Sequence, residues 1–344
     1  MKETSIPLQL IELLSDAQIH SGQQLGDKIG MTRAGINKHI KTLRSWGIQV
    51  QTITGKGYKL PYSVNLLNGE VIRKQVQGSH VIVEPVIDST NQYMLNRIPS
   101  LQSGDTCLAE YQSAGRGRRG RQWVSPFGCN LYLSMYWKLD QGPAAAVGLS
   151  LVVGIVIAKT LNKISKGKVK VKWPNDLYLN DKKLAGILVE LTGKTGDAAH
   201  IIIGIGINIG MEKKNIDKEK SINQEWASLV DEVENIERNE LSASIINALK
   251  EALILFEKEG LAPFLESWFE LDNFLGRKVK LLIGDKIITG IEKGIDQQGA
   301  LLLQHDNGDI IPYIGGEISL RADSSPKCNA KPPFLAPQTP PKVV

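Results

Sequence analysis

The chain has 344 residues, 42% of them hydrophobic and 22% charged, with a net charge of +5. These values exclude wholesale disorder and suit two or three domains of roughly 100–200 residues each. The charge is unevenly placed: residues 31–60 hold six Lys or Arg (Arg33, Lys38, Lys41, Arg44, Lys56, Lys59) and no Asp or Glu, which points to an anionic partner there, nucleic acid first. The first sixty residues read as three short helices and a hairpin. Ile6, Leu10, Leu13 and Leu14 make an apolar stripe at helical spacing. Ser21 and Gln24 have capping-box spacing, Gly30 is placed to stop that helix, and Thr32 caps the next. Ile36, Ile40 and Leu43 form a buried face. Ile48, Val50 and Thr52 alternate as in a strand, Gly55-Lys56-Gly57 turns the chain, and Tyr58 and Leu60 return it. The pattern describes a winged helix-turn-helix. Arg33, Asn37, Lys38, Lys41 and Arg44 would face DNA, with Lys56 at the wing tip near phosphate. A solvated basic helix in a small interaction domain is the alternative.

Pro61 to Asn68 reads as a linker. Beyond it strands and helices mix to about residue 270. Val81–Val86 and Leu131–Trp137 read as strands. Residues 144–158 are the most apolar stretch, but it is shorter than the ~20 residues of a membrane span and carries Gly148, Ser150 and Gly154. It is read as part of a buried helix, and no membrane is expected. Leu177–Leu179 and Leu184–Leu191 flank an Asn180-Asp181 turn, which makes a hairpin. Ile201–Ile207 reads as a central strand, and Leu241 to Phe256 as a long amphipathic helix. Residues 272–321 show short β runs separated by turn pairs, as in a small barrel. Residues 323–344 hold six of the fifteen prolines and read as a disordered tail. Cys107, Cys129 and Cys328 are too few and too scattered for a disulfide framework or a metal cluster. They suit a reducing cytoplasm, as does the lack of a signal-peptide core at the N-terminus.

Three segments carry chemistry. Residues 115–123 read GRGRRGRQW: glycines that let backbone N–H groups approach a ligand, and four arginines suited to carboxylate or phosphate. A flexible RNA-binding Arg-Gly segment is the alternative, and the spacing is not that of a Walker phosphate loop. Residues 172–177 read KWPNDL, with Lys183 just past a turn. Lys172, Asn175, Asp176 and Lys183 are candidates to converge on one face. Lysine suits an oxygen that gains charge, and Asp176 is a candidate to hold Mg²⁺ or accept a proton. Trp-Pro-Asn-Asp is equally a structural turn. Asn208 closes an apolar strand, as a site residue or as a strand-end cap.

DSTN at 88–91, AEYQSAGRGRRGRQW at 109–123, KWPNDL at 172–177, KLAGILVEL at 183–191, GIGIN at 204–208 and GGEISLR at 315–321 resemble the bifunctional biotin protein ligases that also repress the biotin operon. The resemblance covers residues 1–322. It implies a multidomain α+β protein: a winged helix-turn-helix at 1–62, a mixed α/β ligase domain of the fold shared with lipoate ligases at 63–271, and a small SH3-like β-barrel at 272–322; the Pro-rich tail lies outside the resemblance. The Arg-Arg…Gly-Gly-Gly signature of lipoate ligases is missing. The resemblance implies ATP, Mg²⁺ and biotin as reactants and cofactors, and biotinyl-5′-AMP as intermediate and corepressor. It names the biotin carboxyl carrier protein of acetyl-CoA carboxylase as acceptor, and a homodimer on operator DNA. By position, Ser89, Thr90, Asn91 and Gln112 contact biotin, Arg116, Gly117 and Arg118 close over it, and Lys183 touches the carboxylate or adenylate. Lys183, Arg118 and Asp176 are the catalytic set, with Asp176 toward the metal. Arg121, Lys172, Asn175 and Asn208 handle phosphate or ribose, Trp226 packs on adenine, and Arg321 reaches the nucleotide. Val124 stands where such ligases carry an aromatic, which leaves the adenine clamp one-sided.

Overall fold

The computed structural model describes residues 6–194, 196–211, 222, 224–284, 286–314 and, as backbone, 318–322; the tail expected at 323–344 lies outside them. The chain divides into two compact units, residues 1–273 with 297–299, and residues 274–296 with 300–344.

The first unit begins with helices α1 (Ile6–Leu14), α2 (Gly22–Ile29) and α3 (Arg33–Ser45). Each expected cap is present. Ser21 and Gln24 form a reciprocal capping box, Gly30 adopts the left-handed conformation at φ 76°, and the Thr32 hydroxyl accepts from the Gly35 N–H. Leu10, Leu14, Leu25, Ile36, Ile40 and Leu43 are fully buried between the helices. Strands β1 (Gln51–Ile53) and β2 (Gly57–Lys59) form the wing. The strand expected from Ile48 begins only at Gln51. Ile48 and Val50 alternate because both enter the core, not because they pair.

That core does not end with the wing. Tyr111 and Phe127 belong to the same apolar cluster, and Gly47, at φ 83°, leaves the room that the Tyr111 ring fills. Residues 61–68, expected as a linker, are held at almost every step. Val64 N–H donates to Ser15 O at 2.7 Å and Tyr62 Oη to Phe127 O at 2.9 Å. Leu67 N–H donates to Glu110 Oε1 at 2.5 Å, Arg238 Nη1 to Asn65 O at 2.9 Å, and Asn68 N–H to Asn239 Oδ1 at 2.7 Å. The composition suggests a free segment, but the groups that satisfy its backbone come from elsewhere. Chief among them is a buried ion pair, Arg238 Nη2 to Glu110 Oε2 at 2.7 Å, with both side chains at most 5% exposed.

The ligase part follows: α4 (Gly69–Gln75), β3 (Val81–Ile87), α5 (Thr90–Leu95), β4 (Thr106–Gln112), β5 (Leu131–Leu139), α6 (Leu149–Ser165), β6 (Val169–Lys172), β7 (Asp176–Leu179), β8 (Lys182–Thr192), β9 (Ala199–Ile207), α7 (Arg238–Glu259) and α8 (Leu265–Leu271). Its seven strands pair in the order β3-β4-β5-β9-β8-β7-β6. Only β3–β4 is parallel. Helix α6 is apolar and long enough, with the turn before it, to resemble a membrane span. It is instead a core helix packed against α7, α8, β6, β7 and β8, which is why it is apolar all round. On β9 the residues alternate: Ile203, Ile205 and Ile207 are buried beside Ile187 and Leu133, while Gly204 and Gly206 point the other way.

The second unit is one antiparallel sheet of β10 (Lys278–Ile283), β11 (Lys286–Ile295), β12 (Leu301–Gln304), β13 (Ile310–Tyr313) and β14 (Ile318–Ala322), ordered β13-β12-β11-β10-β14. Val279, Leu281, Ile295, Leu301 and Leu303 are among its buried residues.

Replacing Arg238 alone by Met should strand the Glu110 carboxylate in the interior and cost about 3–5 kcal/mol, whereas Arg238→Met with Glu110→Gln should recover part of that loss. Urea unfolding midpoints of the three proteins check this.

Candidate active site

Three glycines on neighbouring strands clear the floor of the site. Gly186 on β8 pairs with Gly206 on β9, and Gly204 lies two residues away on the same face. A side-chain carbon on Gly204 would collide with the Asn91 carboxamide, and one on Gly206 with the Trp123 indole; at Gly186 it would press on the same indole. The Gly-Ile-Gly-Ile alternation is thus a strand with one face buried through its isoleucines and the other given to the site.

On that floor a chain of hydrogen bonds joins the expected biotin residues. Gln112 Oε1 accepts from the Thr90 N–H at 2.9 Å and lies 3.2 Å from Thr90 Oγ1. Gln112 Nε2 donates to Ser125 Oγ at 3.0 Å. Ser134 Oγ lies 2.7 Å from Thr90 Oγ1 and 2.5 Å from Asn91 Oδ1, with one proton to give between them. Asn91 Nδ2 donates to Glu190 Oε2 at 2.7 Å, and the same oxygen accepts from Arg116 Nη2 at 2.7 Å. Ser89, Thr90, Asn91, Gln112, Ser125 and Ser134 are all buried, and most buried polar groups are paired in this way.

The arginine segment is itself a small hairpin. Gly117 N–H donates to Arg121 O at 2.7 Å, and Trp123 N–H to Gly115 O at 2.8 Å. Arg119 sits in the left-handed region at φ 58°, a costly conformation for a residue with a Cβ. The segment borders a cleft of about 520 Å³ lined by residues 114–122, Leu188 and Glu190. Arg118 leaves the loop toward the β6–β7 turn, where Nη1 donates to Asn175 Oδ1 at 2.9 Å. Partial burial pulls its guanidinium below its ordinary range; Asp176 opposes this, while Arg119 and Arg121 add to it. At the same turn Lys183 Nζ pairs with Asp176 Oδ1 at 2.8 Å, both about 15% exposed, and the ammonium stands 5.7 Å from the Trp123 ring centroid. Of the hairpin candidates Asn175, Asp176 and Lys183 lie together at this turn, where Arg118 of the arginine loop joins them, while Lys172 turns to another partner.

Other expected residues lie differently. Lys172 Nζ donates to Tyr178 Oη at 2.8 Å. Asn208 is buried, and its Nδ2 donates to Ala227 O at 3.2 Å, tying the end of β9 to the segment that carries Trp226. Trp226 pairs alongside Lys183 through the backbone. Arg121 is exposed, and Val124 half-buried beside Trp123. The Arg321 side chain lies outside the described residues. On the winged helix, Arg33, Asn37, Lys38, Lys41, Arg44 and Lys56 are all exposed. Arg44 is also a brace, with its guanidinium bonded to Val50 O at 2.8 Å and Thr52 Oγ1 at 2.7 Å. The sequence reading missed Glu190, Ser134 and Trp123 as site residues. Glu190 left one signal, being the lone charge in the apolar run from Leu184 to Leu191.

The model of the biotin/lipoate A/B protein ligase family matches residues 83–208, that of the biotin protein ligase C-terminal domain residues 274–321, and an HTH domain residues 8–59. The bifunctional ligase/repressor BirA of Escherichia coli is 62% identical over 322 residues, which cover 94% of this chain and 99% of the relative. BirA of Bacillus subtilis is 29% identical, covering 87% and 94%. Among solved structures, the biotin protein ligase of Aquifex aeolicus in complex with biotin and ATP is similar at 29% identity with a TM-score of 0.62, over 71% of this chain and 99% of that one. With a ligase fold, a cleft ringed by arginines and a winged helix on a single chain, this protein belongs to the family of bifunctional biotin–protein ligases and repressors.

Proposed function

We propose that this chain condenses biotin with ATP to biotinyl-5′-AMP, passes biotin to a lysine of a biotin carboxyl carrier protein, and uses the same adenylate to control operator binding. The observation that carries the reading is the convergence of Arg118, Asn175, Asp176 and Lys183 at one turn beside the arginine loop. In the first half-reaction a carboxylate oxygen of biotin attacks the α-phosphorus of ATP. The bond to the bridging oxygen breaks, and pyrophosphate leaves with its electron pair. Two anions must approach each other, and Arg116, Arg118, Arg121 and Lys183 offset that repulsion. Lys183 exchanges its Asp176 partner for the reacting carboxylate, and Arg118 follows the charge on the phosphate. Thr90, Asn91 and Gln112 match the ureido ring, with Ser89 and Gly117 at its border. Lys172, Asn175, Asn208, Trp226 and Arg321 serve the nucleotide. Asp176, released from Lys183, is the candidate Mg²⁺ ligand. No group of three metal-binding side chains occurs among the described residues, and one carboxylate suits an ion that otherwise takes waters and phosphate oxygens. In the second half-reaction the uncharged acceptor amine attacks the carbonyl carbon, AMP leaves, and the nitrogen gives up a proton.

Lys183→Ala should slow adenylate formation by about 10²–10³-fold, the cost of about 2.7–4 kcal/mol typical of a lost transition-state contact. Single-turnover formation of biotinyl-5′-AMP measures it, and wild-type rates would refute the role.

The repressor half rests on the basic face of α3 and the wing. Arg33, Asn37 and Lys38 stand at base edges, and Lys41 and Lys56 at phosphates. Lys41→Ala should weaken operator binding and lower the slope of log affinity against log salt by about one. Arg44→Ala should instead lower the melting temperature as well as affinity, because its guanidinium braces the wing. Gel shifts at several salt concentrations beside thermal melts separate the two.

A homodimer on two half-sites, working in the cytoplasm, completes the proposal. Pairing of β8 with β7 ends at Gly186, so among the described residues the run from Val189 to Thr192 has a strand edge on that side, next to the arginine loop. Such an edge accepts a second strand. Saturating biotinyl-5′-AMP should shift the monomer–dimer midpoint to lower protein concentration, and by linkage dimerisation should tighten adenylate binding equally. Sedimentation equilibrium with and without adenylate checks the first effect.

A further inference from the structure

Glu190 is the acid in the network described above, and no step of the ligase chemistry uses it. It stands on β8 opposite Ile202 of β9. One of its oxygens, Oε2, accepts from both Asn91 Nδ2 and Arg116 Nη2 at 2.7 Å each. A half-exposed Arg–Glu pair on its own contributes little. This one differs in what else it holds, because Asn91 is only 4% exposed and stands next to Thr90 in the chain of bonds that ends at Gln112 and Ser125.

An ionised carboxylate only accepts hydrogen bonds. It therefore admits one orientation of the Asn91 carboxamide, with Nδ2 toward Glu190 and Oδ1 toward Ser134. The reverse orientation would set an amide oxygen against a carboxylate. With Oδ1 fixed, the Ser134 proton has a place to go at 2.5 Å. Thr90 Oγ1 then donates to Ser134 Oγ at 2.7 Å, the Thr90 N–H donates to Gln112 Oε1 at 2.9 Å, and Gln112 Nε2 donates to Ser125. The same oxygen tethers Arg116 and, through it, a loop whose four cations otherwise repel one another.

We propose that Glu190 is a positioning residue for biotin. Its carboxylate sets the donor and acceptor pattern of the Asn91–Ser134–Thr90–Gln112 chain and anchors the arginine loop through Arg116. The proposal rests on the reading that these residues hold biotin, so the test has an arm that does not need biotin.

The variants are Glu190→Gln, Glu190→Asp, Asn91→Asp, and the exchange Asn91→Asp with Glu190→Gln, each checked for an unchanged thermal midpoint. Glu190→Gln should raise KM for biotin about tenfold while kcat stays within about twofold, the pattern of lost binding that is equal in ground and transition states. Glu190→Asp keeps the charge at shorter reach and should fall between. Asn91→Asp alone opposes two carboxylates and should be at least as poor as Glu190→Gln. The exchange puts an amide against a carboxylate again and should return KM to within about threefold of wild type, a departure from additivity expected only of directly coupled residues. Without biotin, trypsin should cut Glu190→Gln within residues 116–121 several times faster than wild type. Unchanged cleavage, or an exchange variant whose effects simply add, overturns the proposal. Faster cleavage with an unchanged KM leaves the loop anchor standing and overturns the placement of Asn91 and Arg116 at biotin.

Discussion

The ligase site depends on close approach to a sheet. Side chains stand well out from a pleated strand, and a β-branched residue would hold everything above it at a distance. Gly186, Gly204 and Gly206 remove that spacing on one face, so Asn91 and Trp123 rest against the backbone itself. The isoleucines that alternate with them bury the opposite face. Glycine weakens a strand interior, and here the loss is offset by the central place of β9, paired on both sides along its length.

Onto that floor the chain brings charge of both signs in contact. Arg116 meets Glu190, Lys183 meets Asp176, and Arg118 meets an amide oxygen of Asn175. Each cation holds an internal partner that fixes its place in the cleft. A preformed set of this sort reacts without first gathering its charges, which is what makes electrostatic catalysis effective in a partly dry cleft. Arg119, held at φ 58° between its neighbours, shows how tightly the loop is turned to present these side chains.

Much of this was legible in the sequence, and what was not has a common cause. The helix caps at Ser21 and Thr32 and the hairpin around Asn180 are local, set by residues within four positions, and they stand as read. The convergence of Lys183 on Asp176 was legible because a tight turn leaves few alternatives. The partners of Glu190, by contrast, are 99 and 74 positions away, and a lone acid in an apolar run gives no hint of them. The segment 61–68 misled for the same reason: Pro61, Ser63 and Asn65 suggest a free tether, while Arg238, which holds its backbone, lies 173 positions from Asn65. Ile48 and Val50 alternate with a period of two, yet that period also arises when an irregular segment dips twice into a core.

Residues 110 to 112 have a consequence for how DNA is read. Glu110 grips the strap before α4, Tyr111 fills the hollow at Gly47 behind the recognition helix, and Gln112 enters the biotin network. Three successive positions on one strand fasten the end of α3, residues 61–68 and the ligand site to a single frame. A DNA-binding head on a slack tether tolerates half-sites at many separations, because the tether absorbs the difference. A head fastened in this way has no slack to give. In the two-fold assembly proposed above, the distance between the two α3 helices would be set by the ligase bodies, and the spacing of the half-sites with it.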